Sequence, residues 1–175
     1  MNPRLVLLLG LVASAAAMRL LPHPPNFTPV AALALFAGAH FERRAWAFAV
    51  PLAAMLLSDL ALQGLHGYGF HSTLPAVYAS FVAVVGIGLA LRTRRRPLPV
   101  AAASLAASVL FFAATNLAVW AEGLLYPRSA EGLVACYVAA IPFFGATVLG
   151  DLFYSGVLFG LFAAADRRLP RAATA

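Results

Sequence analysis

The chain has 175 residues, 63% of them hydrophobic and only 10% charged, with a net charge of +6 at pH 7. Soluble domains carry about 25% charged residues, so this composition cannot cover itself with a water-facing surface. A mean hydropathy of +0.89 points to lipid as the solvent. The positive charge would elsewhere suggest nucleic acid. Here all twelve basic residues are arginines, set in short segments between apolar stretches, which membrane topology explains without a polyanion. One cysteine, Cys136, excludes an intramolecular disulfide framework and any cysteine-rich metal cluster.

In chain order, the apolar runs predict a single transmembrane domain over residues 1–175, an all-α bundle of six crossings at about 20 residues per span. The first span covers residues 5–21 and is followed by the helix-breaking Pro22, Pro24 and Pro25. Arg4, an apolar core and Ala13 to Ala17 also imitate a cleavable signal peptide, and cleavage would leave five crossings. The second run, 29–41, is short, so it either thins the bilayer or is not a full crossing. Spans 45–62, 74–91 and 98–120 follow, separated by the polar loop 63–73 and the run Arg92, Arg94, Arg95, Arg96. The last apolar stretch is too long for one straight crossing. Pro142 is expected to divide it into a short interfacial or re-entrant piece and a span over 143–164.

The arginines give the orientation. Arg4, Arg43, Arg44, the four between 92 and 96, Arg167, Arg168 and Arg171 fall on one predicted side, against Arg19 and Arg128 on the other. Basic residues are retained on the cytoplasmic face, so both termini are expected there. Loops 21–28, 63–73 and 121–132 then share the outer face, with Tyr68, Phe70, Trp120 and Tyr126 as its aromatic belt and Trp46 at the inner interface.

Carboxylates inside lipid are costly and usually face a cavity or a partner. Asp59 closes the predicted third span, and it is read either as a helix-end group paired with Arg19 or as a ligand contact at the rim of an outward cavity. Asp151 lies about two turns into the predicted last span. It is either hydrogen-bonded to Ser155 or a neighbouring helix, or it serves binding or gating. His40, beside Glu42 and Arg43, reads as a headgroup residue. His23, His66 and His71 lie in outer loops, where convergence with Asp59 would suit zinc or a similar metal; solvation alone also accounts for them.

Two helix starts share one grammar, Thr28 before Pro29 and Ser72-Thr73 before Pro75, in which the hydroxyl caps and proline enters the first turn. Such ends attract carboxylates or phosphates, although capping by itself explains the residues. Small residues, among them Ala13, Ala17, Gly86, Gly88 and the stretch 102–107, permit close helix approach. Nucleotide-binding loops, paired catalytic carboxylates, zinc-protease motifs and a Ser-His-Asp order are absent, so the chain is not read as an enzyme.

Several segments carry a resemblance: Arg19 to Ala39, Ser58-Asp59-Leu60, Thr115-Asn116 to Trp120, Tyr126-Pro127 and Ile141-Pro142-Phe143-Phe144. Together they resemble a bacterial family of uncharacterised membrane transport proteins. In size and six-helix layout that family looks like the vitamin-binding S components of energy-coupling factor (ECF) transporters. The resemblance implies a bacterial inner-membrane location and an outward substrate cavity. It also implies docking of a shared ATPase module on Ala13 and Ala17. A narrower similarity, to the solitary cobalamin transporters, places His23, Asp59 and Tyr78 at comparable positions. The cysteine ligand of those proteins is replaced by the segment His71-Ser72-Thr73, with His71 as the candidate ligand.

The expectation is therefore a small-molecule transport protein, with cobalamin as the first candidate substrate and no resident cofactor. Its cavity would gather His23, Asn26, Asp59, His71, Tyr78, Asn116, Trp120 and Asp151. A non-transporting membrane scaffold, or a metal-binding protein built on His23, His66 and His71, are the alternatives.

Overall fold

A computed structural model describes residues 2–169; Arg171 of the predicted basic tail lies outside them. The described residues form six helices: α1 (Pro3–Met18), α2 (Val30–His40), α3 (Arg44–His66), α4 (Leu74–Ala90), α5 (Pro97–Glu122) and α6 (Ala130–Asp166). Three of them, α3, α5 and α6, are long and apolar enough to cross a membrane.

Helix α2 is the axis of the fold. It is apolar all round, and all eleven of its residues are buried. A helix without a polar face has to be enclosed by protein or lipid. Here the enclosure is protein, since α2 touches each of the other five helices. At ~1.5 Å per residue it spans ~17 Å, about half a hydrocarbon core. The short predicted second span is thus an enclosed helix entered through the irregular segment that precedes it.

The closest helix pair, α2 with α4, rests on Gly38 and Gly88. A Cβ on Gly38 would collide with the Val85 carbonyl, and one on Gly88 with the Leu35 carbonyl. Both obstacles are backbone and cannot swing aside, so only glycine allows this approach. Gly86, grouped with Gly88 from sequence, faces open space and plays no such part.

Side-chain contacts sort the helix ends into two groups. At one end Arg4 pairs with Asp166 at 3.1 Å and sits over the Phe162 ring at 5.5 Å. There Arg92 donates to the carbonyls of Gly38 at 3.2 Å and Phe41 at 2.5 Å. A guanidinium at the C-terminal end of α2 answers both the orphan carbonyls and the negative end of the helix dipole. At the other end Arg19 and Tyr78 meet Asp59. The arginine-rich segments therefore share one end of the bundle, as their distribution in sequence predicts.

Two expectations about this architecture are corrected. Pro142 does not divide the last apolar stretch, because α6 runs unbroken for 37 residues. Proline removes one donor, yet a neighbouring helix can hold the turn together. Here α5 does so: Tyr137 donates to the Ala113 carbonyl at 2.6 Å, and the Phe112 and Phe144 rings lie 4.7 Å apart. His40 is not a headgroup residue. It is 5% exposed, packed against Phe36, Phe159 and Phe162, and its Nδ1 bonds the Phe36 carbonyl one turn back.

Candidate functional site

The polar residues expected to share one cavity separate into two groups. The first surrounds Asp59, which is 1% exposed. Helix α3 continues to His66, so Asp59 lies inside the helix instead of closing it. Arg19 Nη2 donates to its Oδ1 at 2.6 Å, and the Tyr78 hydroxyl donates to Oδ2 at 2.7 Å. Arg19 Nη1 donates to Ser58 Oγ and to the Met55 carbonyl. Both carboxylate oxygens are engaged and the charge is matched within the protein. Of the two readings of Asp59, the structure selects the pair with Arg19.

The second group lines a cavity of about 200 Å³ between the start of α2, the second half of α5 and the middle of α6. Asn26, Asn116 and Asp151 belong to it, together with Thr28, Thr115 and Thr147. Asp151 is 3% exposed and sits near the middle of α6, not two turns from its start. Ser108 on α5 offers its single hydroxyl proton either to Asp151 Oδ2 at 2.6 Å or to the Ser104 carbonyl at 3.1 Å. The shorter, charge-assisted contact is the stronger of the two. Ser155 instead approaches Ser104, so it is not the partner of Asp151.

The unwound segment before α2 supplies one wall. Asn26 takes a positive φ of 62°, a conformation that asparagine tolerates better than most residues. Thr28 does not cap the helix: Pro29 is the N-cap residue, no side chain caps α2, and Thr28 lines the cavity. At α4 the cap is Thr73, again without a side-chain bond to the helix, and His71 Nδ1 lies 2.9 Å from its hydroxyl.

The remaining candidates lie elsewhere. His23 is exposed, with Nδ1 against the Pro24 carbonyl at 3.0 Å. His66 stacks on Tyr68 with ring centroids 5.4 Å apart. These histidines and His71 do not converge on Asp59, and among the described residues no group of three His, Cys, Asp or Glu side chains could hold a metal ion. Trp120 is a loop anchor and not a cavity wall, its indole N–H shared between the carbonyls of Pro127 at 3.1 Å and Ser129 at 3.2 Å. Cys136 is buried, as read from sequence, with its thiol toward the Asn116 carbonyl.

Sequence reasoning missed Ser108, Thr115, Thr147 and the phenylalanines of the cavity. A signal for them exists. Thr147, Asp151 and Ser155 recur every four residues on α6, and Ser104 and Ser108 do so on α5. Residues four apart share a helix face, so each helix carries a polar stripe and the two stripes meet.

Fold and site together define an all-helical protein with three membrane-length apolar helices and a cavity, bordered by the buried Asp151, beside a short central helix. The chain belongs to a family of unknown function (DUF6580), whose model matches residues 1–172. No curated protein and no solved structure matches it.

Proposed function

We propose that the chain is a multi-pass membrane protein that binds a small solute in the Asp151 cavity and carries it across a bacterial inner membrane, in the manner of an ECF S component. The observation that carries this reading is Asp151: a carboxylate 97% buried, with one serine as its hydrogen-bond partner, bordering a cavity in an otherwise apolar chain. A carboxylate buried in that position is costly to ionise, and a ligand of opposite charge would offset that cost. Unwound backbone beside the cavity fits as well, since irregular backbone at membrane depth is tolerated where it lines a cavity.

In this reading the arginine-rich end is cytoplasmic, and the cavity lies in the half of the bundle nearer the opposite face. The outward faces of α3, α5 and α6 carry exposed Leu57, Val109, Val138, Ile141, Leu149 and Leu161, a surface that suits lipid and not water. Ala13 and Ala17 are exposed on α1, where an ATPase module would dock; without such a partner, transport runs downhill. A cavity of about 200 Å³ favours a solute much smaller than a corrinoid.

The test is mass spectrometry of small molecules that co-purify with the protein, alongside Asp151→Asn. One compound should be enriched with the native chain and depleted with the variant. Equal recovery from both would refute the cavity as the binding site. Impermeant maleimide labelling of cysteines placed in loops 67–73 and 92–96 should come from opposite membrane faces.

A further inference from the structure

The chemistry of the cavity wall selects among solutes. Thr115 Oγ1 donates to the Phe111 carbonyl at 2.8 Å, and Thr147 Oγ1 donates to the Phe143 carbonyl at 3.2 Å. Both hydroxyl protons are therefore used within their own helices, and what these threonines retain is lone pairs. Asn116 donates one amide hydrogen to the Phe112 carbonyl at 2.8 Å, which leaves its carbonyl oxygen and a single N–H. Asp151 Oδ1 takes no hydrogen bond from any described residue. No arginine or histidine lines the cavity. Asn26 and Thr28 add donors as well as acceptors, so the neutral groups are mixed, and Asp151 is the one side chain in the wall that can carry a full charge.

The start of α2 is the opposing influence. Val30 and Ala31 line the cavity and no side chain caps the helix, so its first-turn N–H groups bring partial positive charge. A helix end contributes about half a unit of positive charge, against the full unit of negative charge that Asp151 carries when ionised. Ionised Asp151 therefore outweighs the helix end. Four phenylalanine rings, Phe111, Phe112, Phe143 and Phe144, complete the wall. Aromatic faces attract cations, and four of them suit a carbon-bearing cation better than a hard inorganic ion, which seeks six or so oxygens.

We infer that the solute is a small organic cation bearing N–H groups, a protonated amine or amidine, with its cationic nitrogen against Asp151 and its carbon skeleton among the phenylalanines. The inference rests on the reading of this cavity as the substrate site.

Three probes of one shape separate charge from size: benzylamine, benzyl alcohol and benzoate, titrated calorimetrically into the full chain in detergent. Benzylamine should bind about tenfold or more tightly than either of the others. Asp151→Asn, which keeps the shape and the reach to Ser108, should reduce that preference to about threefold or less. If this variant does not fold, the ranking of the probes on the native chain decides. Equal binding of the alcohol, lost when Ala140→Phe fills the cavity, overturns the cationic solute and leaves the cavity reading intact. Tighter binding of benzoate overturns it by placing an anion at the start of α2. Sodium chloride giving a binding heat that Asp151→Asn removes overturns it in favour of an inorganic ion. Failure of all three probes also overturns it, and the co-purification experiment then judges the cavity reading separately.

Discussion

Arg19, one residue past the end of α1, and Asp59, inside α3, form a bond of 2.6 Å across forty positions of sequence. The pair joins two helices that are not consecutive, and Tyr78 brings in a third. Replacing one member of a buried pair leaves the other charge without compensation, at a cost of about 3–5 kcal/mol. Arg19→Ala and Asp59→Ala are each expected to lose that order of stability in denaturant titrations of the micelle-solubilised protein. The double variant should lose far less than the sum. Simple additivity would show that the two groups are not coupled.

Tyr78→Phe removes one hydrogen bond to an ionised carboxylate while the pair with Arg19 stays. The expected loss is about 1.5–3 kcal/mol of unfolding free energy. Binding of solute in the Asp151 cavity should be unchanged, because Tyr78 does not line it. Altered binding without altered stability would contradict the separation of the two polar groups.

Gly38→Ala and Gly88→Ala each push a methyl group against a carbonyl of the facing helix. Overpacking of this kind costs about 1–3 kcal/mol, and here the backbone cannot relieve it by a rotamer change. Gly86→Ala, which meets open space, is the control and should be neutral or slightly stabilising. Thermal unfolding of the three variants side by side settles the matter. A Gly86 effect as large as the other two would count against the α2–α4 crossing.

Ser108→Ala deprives Asp151 of its hydrogen-bond partner and should cost about 1–3 kcal/mol in stability. Ser155→Ala gives up only a 3.4 Å contact to Ser104 and should stay within about 0.5 kcal/mol. Reversal of that order in denaturant titrations would reassign the partner of Asp151.

Continuity of α6 through Pro142 is a distance measurement. Spin labels at Val134 and Leu149, both on the exposed surface, sit fifteen residues apart on one straight helix, ~22 Å along its axis. A broken or re-entrant segment brings them much closer, and a short distance by pulsed dipolar spectroscopy would restore the divided reading.

What the sequence revealed and what it hid have physical causes. Arginine placement follows a rule about where charge rests relative to lipid, so the shared helix end was readable from positions alone. The start of α5 at Pro97 fell within a residue of expectation, whereas α3 runs four residues past its expected end, to His66 and the Gly67 cap. Pro142 misled because proline in a helix is a local cost that Tyr137 and Phe144 offset through α5, and that packing is not visible in a linear pattern. The grouping of polar residues depended on helix rotation. Asp59 and Asp151 look alike on a hydropathy profile, yet one is matched by Arg19 and the other faces empty volume. For α2, uniform apolarity left no face to read: it suits a lipid-facing span and a protein-enclosed helix alike, and only the structure shows that protein encloses it.

The wrapping of α2 bears on how the chain is made. Eleven residues are too few to lodge in a bilayer unaided, and four of the five helices that shelter this one, α3 to α6, emerge from the ribosome after it. Until they arrive, its backbone and apolar side chains have no permanent surroundings. Synthesis halted before α4 should yield a product prone to degradation, whereas the same halt after α6 should not. The innermost element of this fold is among the earliest translated, and its set of neighbours is complete only once α6 has been made.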